Sequence, residues 1–275
     1  MQANQTMTLR EKGERLIEYI GNLSSAAVGF SGGVDSSLLA AAAFKALGDK
    51  AVAITAYSAT LPEREKTAAQ AIAKQIGIRH VLLNISELES ADFVANTKDR
   101  CYHCKKQRFS AMSNWAQTAG YHWMLDGSNA DDVSDYRPGL KAVKELTRVT
   151  SPLLETGLTK AEIRQLSKDW NLPTWNKPSM ACLSSRVSYG LPVTAERLKQ
   201  IEQAEEVIRG FCSGQIRVRH HNNLARIEVE PAQVATLAQP ETAAEVSRRL
   251  REIGFTYITL DLAGYRTGSM NDELR

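Results

Sequence analysis

The cysteines of this chain stand at spacings that chemistry uses. The stretch RCYHCKK, residues 100–106, sets Cys101 and Cys104 three positions apart with His103 between them. Such a pair can be a redox dithiol, part of a metal clip, or two thiols in a core. A third cysteine, Cys182, lies in WNKPSMACLSSR, residues 175–186, and a fourth, Cys212, in FCSG. Cys212 has no partner motif and reads as a buried thiol.

SGGVDSS, residues 31–37, offers a different chemistry. Gly32 and Gly33 allow a tight turn that brings several backbone N–H groups to one point. A helix starting directly after them adds its positive end, so Ser31, Gly32 and Gly33 make an anion site. Asp35 can hold a magnesium ion beside phosphate, and Ser36 or Ser37 can donate a hydroxyl. The loop lacks the Gly-Lys-[Ser/Thr] ending of a Walker A sequence and does not match GxGxxG.

The elements around these residues have readable periods. A first helix covers residues 8–20, with Leu9, Leu16, Ile17 and Ile20 at helical spacing. AVGF before the loop reads as the end of a buried strand over 26–30, and LLAAAAFKAL after it as a helix. A strand over 51–57, a helix over 63–76, a strand over 80–85, a helix over 102–119 and a strand over 123–127 follow. Strands that alternate with helices and are apolar on both faces predict an α/β fold with a doubly wound parallel sheet. Thr159 and Glu162 form a capping box for the next helix. Residues 175–190 read as a loop, and the character changes beyond it: a helix over 194–211, two alternating strands around His221-Asn222-Asn223, a helix over 241–253 and a strand in FTYITLDL. The expected division is therefore a first domain over 1–186 and a smaller α+β domain over 187–275.

Composition limits the function classes. With 43% hydrophobic and 24% charged residues, the chain reads as a soluble globular protein. A net charge of +3 gives no ground for nucleic-acid binding. No apolar run suits a membrane span, the polar start does not read as a signal peptide, and four cysteines do not make a secreted disulfide scaffold, so a cytoplasmic location is expected.

SGGVDSS resembles the pyrophosphate loop of the PP-loop ATP pyrophosphatases, of the adenine nucleotide alpha hydrolase-like type. That likeness implies ATP and Mg2+, with pyrophosphate leaving into the loop as a substrate oxygen is adenylylated. Three further stretches, LDGSNADDVSDYRPGLKA, WNKPSMACLSSR and VRHHNNLARIEV with YITLDLAGYRTGSMND, resemble the LarE family of ATP-dependent sulfur transferases across nearly the whole chain. The implied substrate is a pyridinium dicarboxylate mononucleotide, whose carboxylates become thiocarboxylates on the way to a nickel-pincer nucleotide. The resemblance places Ser31, Gly32, Gly33, Asp35 and Ser36 on the ATP phosphates and magnesium, with Asp126, Arg137 and Arg186 near the nucleotide. Arg217 and Arg219 alternate along one strand and so share a face that suits a substrate phosphate. Glu205 and Glu228 match acidic residues near the family's substrate site. The family also implies a homo-oligomer, a hexamer with the small domain at its contacts.

Sulfur in that family comes by two routes. A gap-free alignment on Asn176-Lys177 and Ser184-Ser185-Arg186 puts the sacrificial cysteine position on Ala181, with Cys182 one residue later. Cys101, Cys104 and Cys182 resemble instead the three-cysteine subgroup, which implies a [4Fe–4S] cluster whose fourth iron holds an exogenous sulfide. Lys105, Lys106 and Arg108 would then offset the cluster's charge. Structural zinc, a redox dithiol and Cys182 as single-use donor stay open beside that reading, as do a tRNA thiolase and a non-catalytic nucleotide-binding protein.

Overall fold

A computed structural model of the protein describes residues 7–133 and 138–274. The chain divides into two units. The first comprises residues up to Ser58, Glu63–Ile85 and Cys101–Met180; the second comprises Ala59–Pro62, Ser86–Arg100 and the chain from Ala181 onward. The main division thus falls between Met180 and Ala181, where the sequence suggested one after Arg186. Two short early segments also belong to the second unit, which no compositional shift announces.

The first unit carries a five-stranded, wholly parallel sheet in the order β3-β2-β1-β4-β5. Its strands are β1 (Ala26–Gly29), β2 (Ala51–Tyr57), β3 (Arg79–Asn84), β4 (Trp123–Leu125) and β5 (Val149–Thr150). Its helices are α1 (Leu9–Gly21), α2 (Val34–Leu47), α3 (Glu63–Ile76), α5 (Arg100–Thr118), α6 (Pro138–Lys144), α7 (Pro152–Glu155) and α8 (Lys160–Asp169), while the short α4 (Ala91–Val94) belongs to the second unit. Successive strand residues point to opposite faces, and both faces are covered. Ala26 and Val28 of β1 join Leu16, Leu38, Leu39 and Ile163 in one core, while Ala27 joins Phe109, Met112 and Met124 in the other. This is the expected doubly wound α/β fold. Two details differ from the sequence reading. Strand β3 lies at the sheet edge and has no fully buried residue. Strand β5 is two residues long, too short to show a period.

Local capping sets the helix starts. Thr8 caps α1 with Glu11 in return, and Thr159 caps α8 with Glu162 in return. The second unit is α+β. Strands β6 (Arg217–His221) and β7 (Leu224–Glu228) form the expected hairpin, with Asn222 at φ 60 in its turn. Strand β8 (Tyr257–Leu260) pairs parallel to β7. Helices α9 (Ala195–Arg209), α10 (Val234–Leu237) and α11 (Pro240–Ile253) complete the unit; α9 and α11 supply Ala204, Ile208, Val246 and Leu250 to its core.

Candidate functional site

The order 3-2-1-4-5 reverses direction between β1 and β4, and open α/β sheets bind ligands at the carboxyl ends of strands at such a switch point. SGGVDSS follows β1 there. Gly32 has φ +67, and a Cβ on it would stand 3.1 Å from the Ala69 Cα of α3, so any side chain here would be strained and crowded. Ser36 Oγ donates to the Gly33 carbonyl at 3.2 Å and accepts from the Ser31 N–H at 3.2 Å and the Ser31 hydroxyl at 3.0 Å. Ser31 Oγ accepts in turn from the Gly33 N–H at 3.3 Å. Gly33 is the N-cap of α2 and makes no side-chain cap, which leaves the first turn's amides and the helix's positive end directed at the loop.

The segment after β4 lies beside this loop. A Cβ on Gly127 would stand 3.6 Å from the Ser36 nitrogen, and Asn129 Nδ2 donates to Asp35 Oδ1 at 3.3 Å. Lys160, the first residue of α8, pairs with the other Asp35 oxygen. Asp35 is thus a partly exposed carboxylate at the loop, of the hard-oxygen type that magnesium takes. Asp126 is 4% exposed and already engaged: it accepts from the Ser128 N–H at 3.2 Å and Ser151 Oγ at 3.3 Å, and pairs with Lys105 Nζ at 3.0 Å.

The basic residues after Cys104 each have a partner of their own. Lys105 answers Asp126, Lys106 pairs with Glu145 at 2.9 Å, and Arg108 donates to the Ala56 carbonyl. Their charges are spent on protein groups. Cys101 is exposed and Cys104 half-buried on α5, and neither is in a disulfide. Among the described residues no three of His, Cys, Asp and Glu form a group able to hold a metal ion. Arg137 lies outside the described residues.

In the second unit the loop carrying Cys182 is built around Arg186. This guanidinium is fully buried and engages Glu205 through Nε–Oε1 at 2.9 Å and Nη2–Oε2 at 3.3 Å. Its Nη1 donates to the Ala181 carbonyl at 2.6 Å and the Cys182 carbonyl at 2.8 Å. Glu205 also accepts from the Val218 N–H at 3.3 Å. Arg186 therefore shapes the cysteine loop, and each of its nitrogens is spent on protein acceptors.

Cys182 itself is half-buried, with Sγ 2.9 Å from Ser184 Oγ. Burial pushes its thiol up, but Arg100, the Ser184 hydroxyl, Arg186 and the Ser185 N–H together hold it below the ordinary thiol range. Cys212 shows burial acting alone, which raises its thiol.

Arg217 and Arg219 do share a face of β6, and both are buried. Arg219 pairs with Glu228 at 2.7 Å, and Ser269 bridges the two from the C-terminal segment at 3.1 and 3.0 Å. Arg217 donates to the Ile216 carbonyl at 2.7 Å and lies under the Tyr265 ring at 5.1 Å. Burial, then Arg186, pushes its guanidinium down to about 10, so it stays charged at neutral pH. Sequence reasoning missed Lys160, Asn129, Arg100, Tyr265 and Ser269. Only Lys160 carries a sequence signal, standing directly after the Thr159 cap.

The NAD synthase family model matches residues 14–114, from α1 into α5. An uncharacterized protein of Synechocystis sp. is 43% identical over 266 residues, covering 97% of this chain and 99% of that one. The NH(3)-dependent NAD(+) synthetase of Finegoldia magna is 33% identical over 116 residues, 40% of this chain and 47% of its own. The pyridinium-3,5-bisthiocarboxylic acid mononucleotide synthase of Lactiplantibacillus plantarum is 35% identical over 268 residues, 97% of this chain and 96% of its own. A glycine loop at a sheet switch point, in a chain matched end to end by that synthase, places this protein in the LarE family of ATP-using sulfurtransferases with a PP-loop domain.

Proposed function

We propose that the protein adenylylates carboxylates of a pyridinium dicarboxylate mononucleotide with ATP and converts them to thiocarboxylates, in the assembly of a nickel-pincer nucleotide. The observation that carries this reading is the end-to-end likeness to the Lactiplantibacillus plantarum synthase. The glycine loop supports the first half-reaction. A substrate carboxylate oxygen bonds to the α-phosphorus of ATP, the bond to the β-phosphate bridge oxygen breaks, and pyrophosphate leaves with its charge against the 31–33 amides and the start of α2. Asp35 would hold magnesium, whose charge offsets that of the phosphates. Arg217 and Arg219 would take the substrate phosphate, with Glu228 holding Arg219 and Glu205 holding the neighbouring Arg186.

The lowered thiol of Cys182 supports the second half-reaction. Its thiolate attacks the acyl carbon, a C–S bond forms and AMP leaves. Loss of the cysteine Hα and cleavage of its Cβ–S bond then release the thiocarboxylate and leave dehydroalanine at 182, one sulfur per chain. The three-thiolate reading makes Cys101, Cys104 and Cys182 ligands of a [4Fe–4S] cluster. Thiolates are the right donors for its irons. Among the described residues no three of His, Cys, Asp and Glu gather into a metal-binding group.

The test is ATP/pyrophosphate exchange and thiocarboxylate formation in the presence of the pyridinium substrate, with mass analysis of residue 182 after one turnover. Nucleotide binding without AMP formation would point to a regulatory protein. Sulfur transfer that survives replacement of Cys101, Cys104 and Cys182 together would sink both sulfur routes. Iron and sulfide content after anaerobic purification separates the two. The homo-oligomer implied by the family is read by the solution mass.

A further inference from the structure

Lys177 has no role in the reading above, yet its ammonium touches the glycine loop. Its Nζ donates to the Gly32 carbonyl at 3.0 Å and pairs with Glu65 Oε2 of α3, also at 3.0 Å. Both side chains are largely buried, at 20% and 13% exposure. Glu65 stands one turn before Ala69, the residue that fills the space a Cβ at Gly32 would need. One face of α3 thus fixes the loop twice, sterically through Ala69 and electrostatically through Glu65 and Lys177. The Lys177 backbone is fixed too: Arg164 donates to its carbonyl at 3.0 Å and to the Trp175 carbonyl at 2.8 Å.

Peptide planarity gives this contact a consequence. In a trans peptide the C=O of one residue and the N–H of the next point in opposite directions. An ammonium that grips the Gly32 carbonyl therefore aims the Gly33 N–H to the far side, where it now donates to Ser31 Oγ. It also polarises that peptide, which strengthens the N–H as a donor.

We propose that Lys177 is a positioning residue of the loop: through the Gly32 carbonyl it orients the Gly33 N–H toward the departing pyrophosphate. The proposal rests on the ATP reading above and adds a residue to it. The plain alternative is that Lys177 and Glu65 merely tie the 175–180 segment to α3. That alternative lowers thermal stability and affects all ligands alike, whereas positioning affects only those that touch the loop.

Titration calorimetry on the full-length protein separates them, with magnesium pyrophosphate and adenosine as the probes. Lys177→Met is expected to lose about tenfold in pyrophosphate affinity, the scale of one charged hydrogen bond. Adenosine affinity stays unchanged, and Lys177→Arg recovers part of the loss. Glu65→Gln, which leaves the ammonium in place but less firmly held, gives a smaller loss in the same direction and serves if Lys177→Met does not fold. Unchanged pyrophosphate affinity in these variants overturns the proposal. So does a loss shared equally by adenosine with a falling Tm. An unaltered protein that binds adenosine but not pyrophosphate overturns the ATP reading itself, and the Lys177 role with it.

Discussion

Arg186 and Glu205 face each other across 2.9 Å with both side chains buried, and the same guanidinium holds the carbonyls of Ala181 and Cys182. The ion pair and the cysteine loop are therefore one structure. Replacing Glu205 by Ala leaves a buried, uncompensated arginine, for which the expected loss is about 3–5 kcal/mol. Denaturant unfolding measures it. A Glu205→Ala protein of unchanged midpoint would show that the pair does not hold the loop.

The Cys182 thiol should behave as an acidified one. Alkylation by iodoacetamide at neutral pH should modify Cys182 ahead of Cys212, with an inflection below the ordinary thiol value of about 8.5. Arg100→Met removes the largest of the groups that lower it and should move the inflection upward. Mass mapping of the modified peptide against pH gives the answer; an inflection at or above the ordinary value contradicts the geometry.

Gly32→Ala puts a Cβ 3.1 Å from the Ala69 Cα at a φ of +67. The expected cost is about 1–2 kcal/mol in stability. Nucleotide affinity should fall further than stability alone explains, since the loop must open to relieve the contact. Fluorescence titration of ATP beside a melting curve distinguishes the two losses.

Asp35 is held between Asn129 and Lys160. Asp35→Asn keeps the shape and removes the charge. The magnesium concentration for half-maximal exchange should rise about tenfold, as for loss of one charged ligand. Lys160→Met should instead raise the KM for ATP and leave the magnesium requirement near its original value. The same shift in both variants would remove the case for separate roles.

His220 makes the second unit acid-sensitive. Burial, then Arg197 and His221, lowers its pKa from 6.5 to about 4. The fold thus favours the neutral ring, which lies 3.0 Å from Gln200 Oε1 through Nε2 and packs on Phe255. Stability is complete above about pH 6.5 and is lost as pH falls toward about 4, with a total of the order of 2 kcal/mol. Unfolding midpoints at pH 7.5 and pH 5 should differ, and His220→Gln should narrow the gap.

Much of this was written into short stretches of sequence. The strand-loop-helix around SGGVDSS, the Thr159–Glu162 capping box and the β6–β7 hairpin each depend on residues within a few positions of one another. Backbone sterics, capping and side-chain period act at that range. What lies far apart was decided only by folding. Lys160 meets Asp35 across 125 positions, and Lys177 meets Gly32 across 145. Sequence likeness placed Arg186 near the nucleotide and the lysines after Cys104 near a cluster. Which partners they meet, Glu205 for Arg186 and Asp126 for Lys105, came only with the fold. The reason is electrostatic: a charge taken out of water must be matched by a partner, and the partners available depend on which distant segments the two cores bring together.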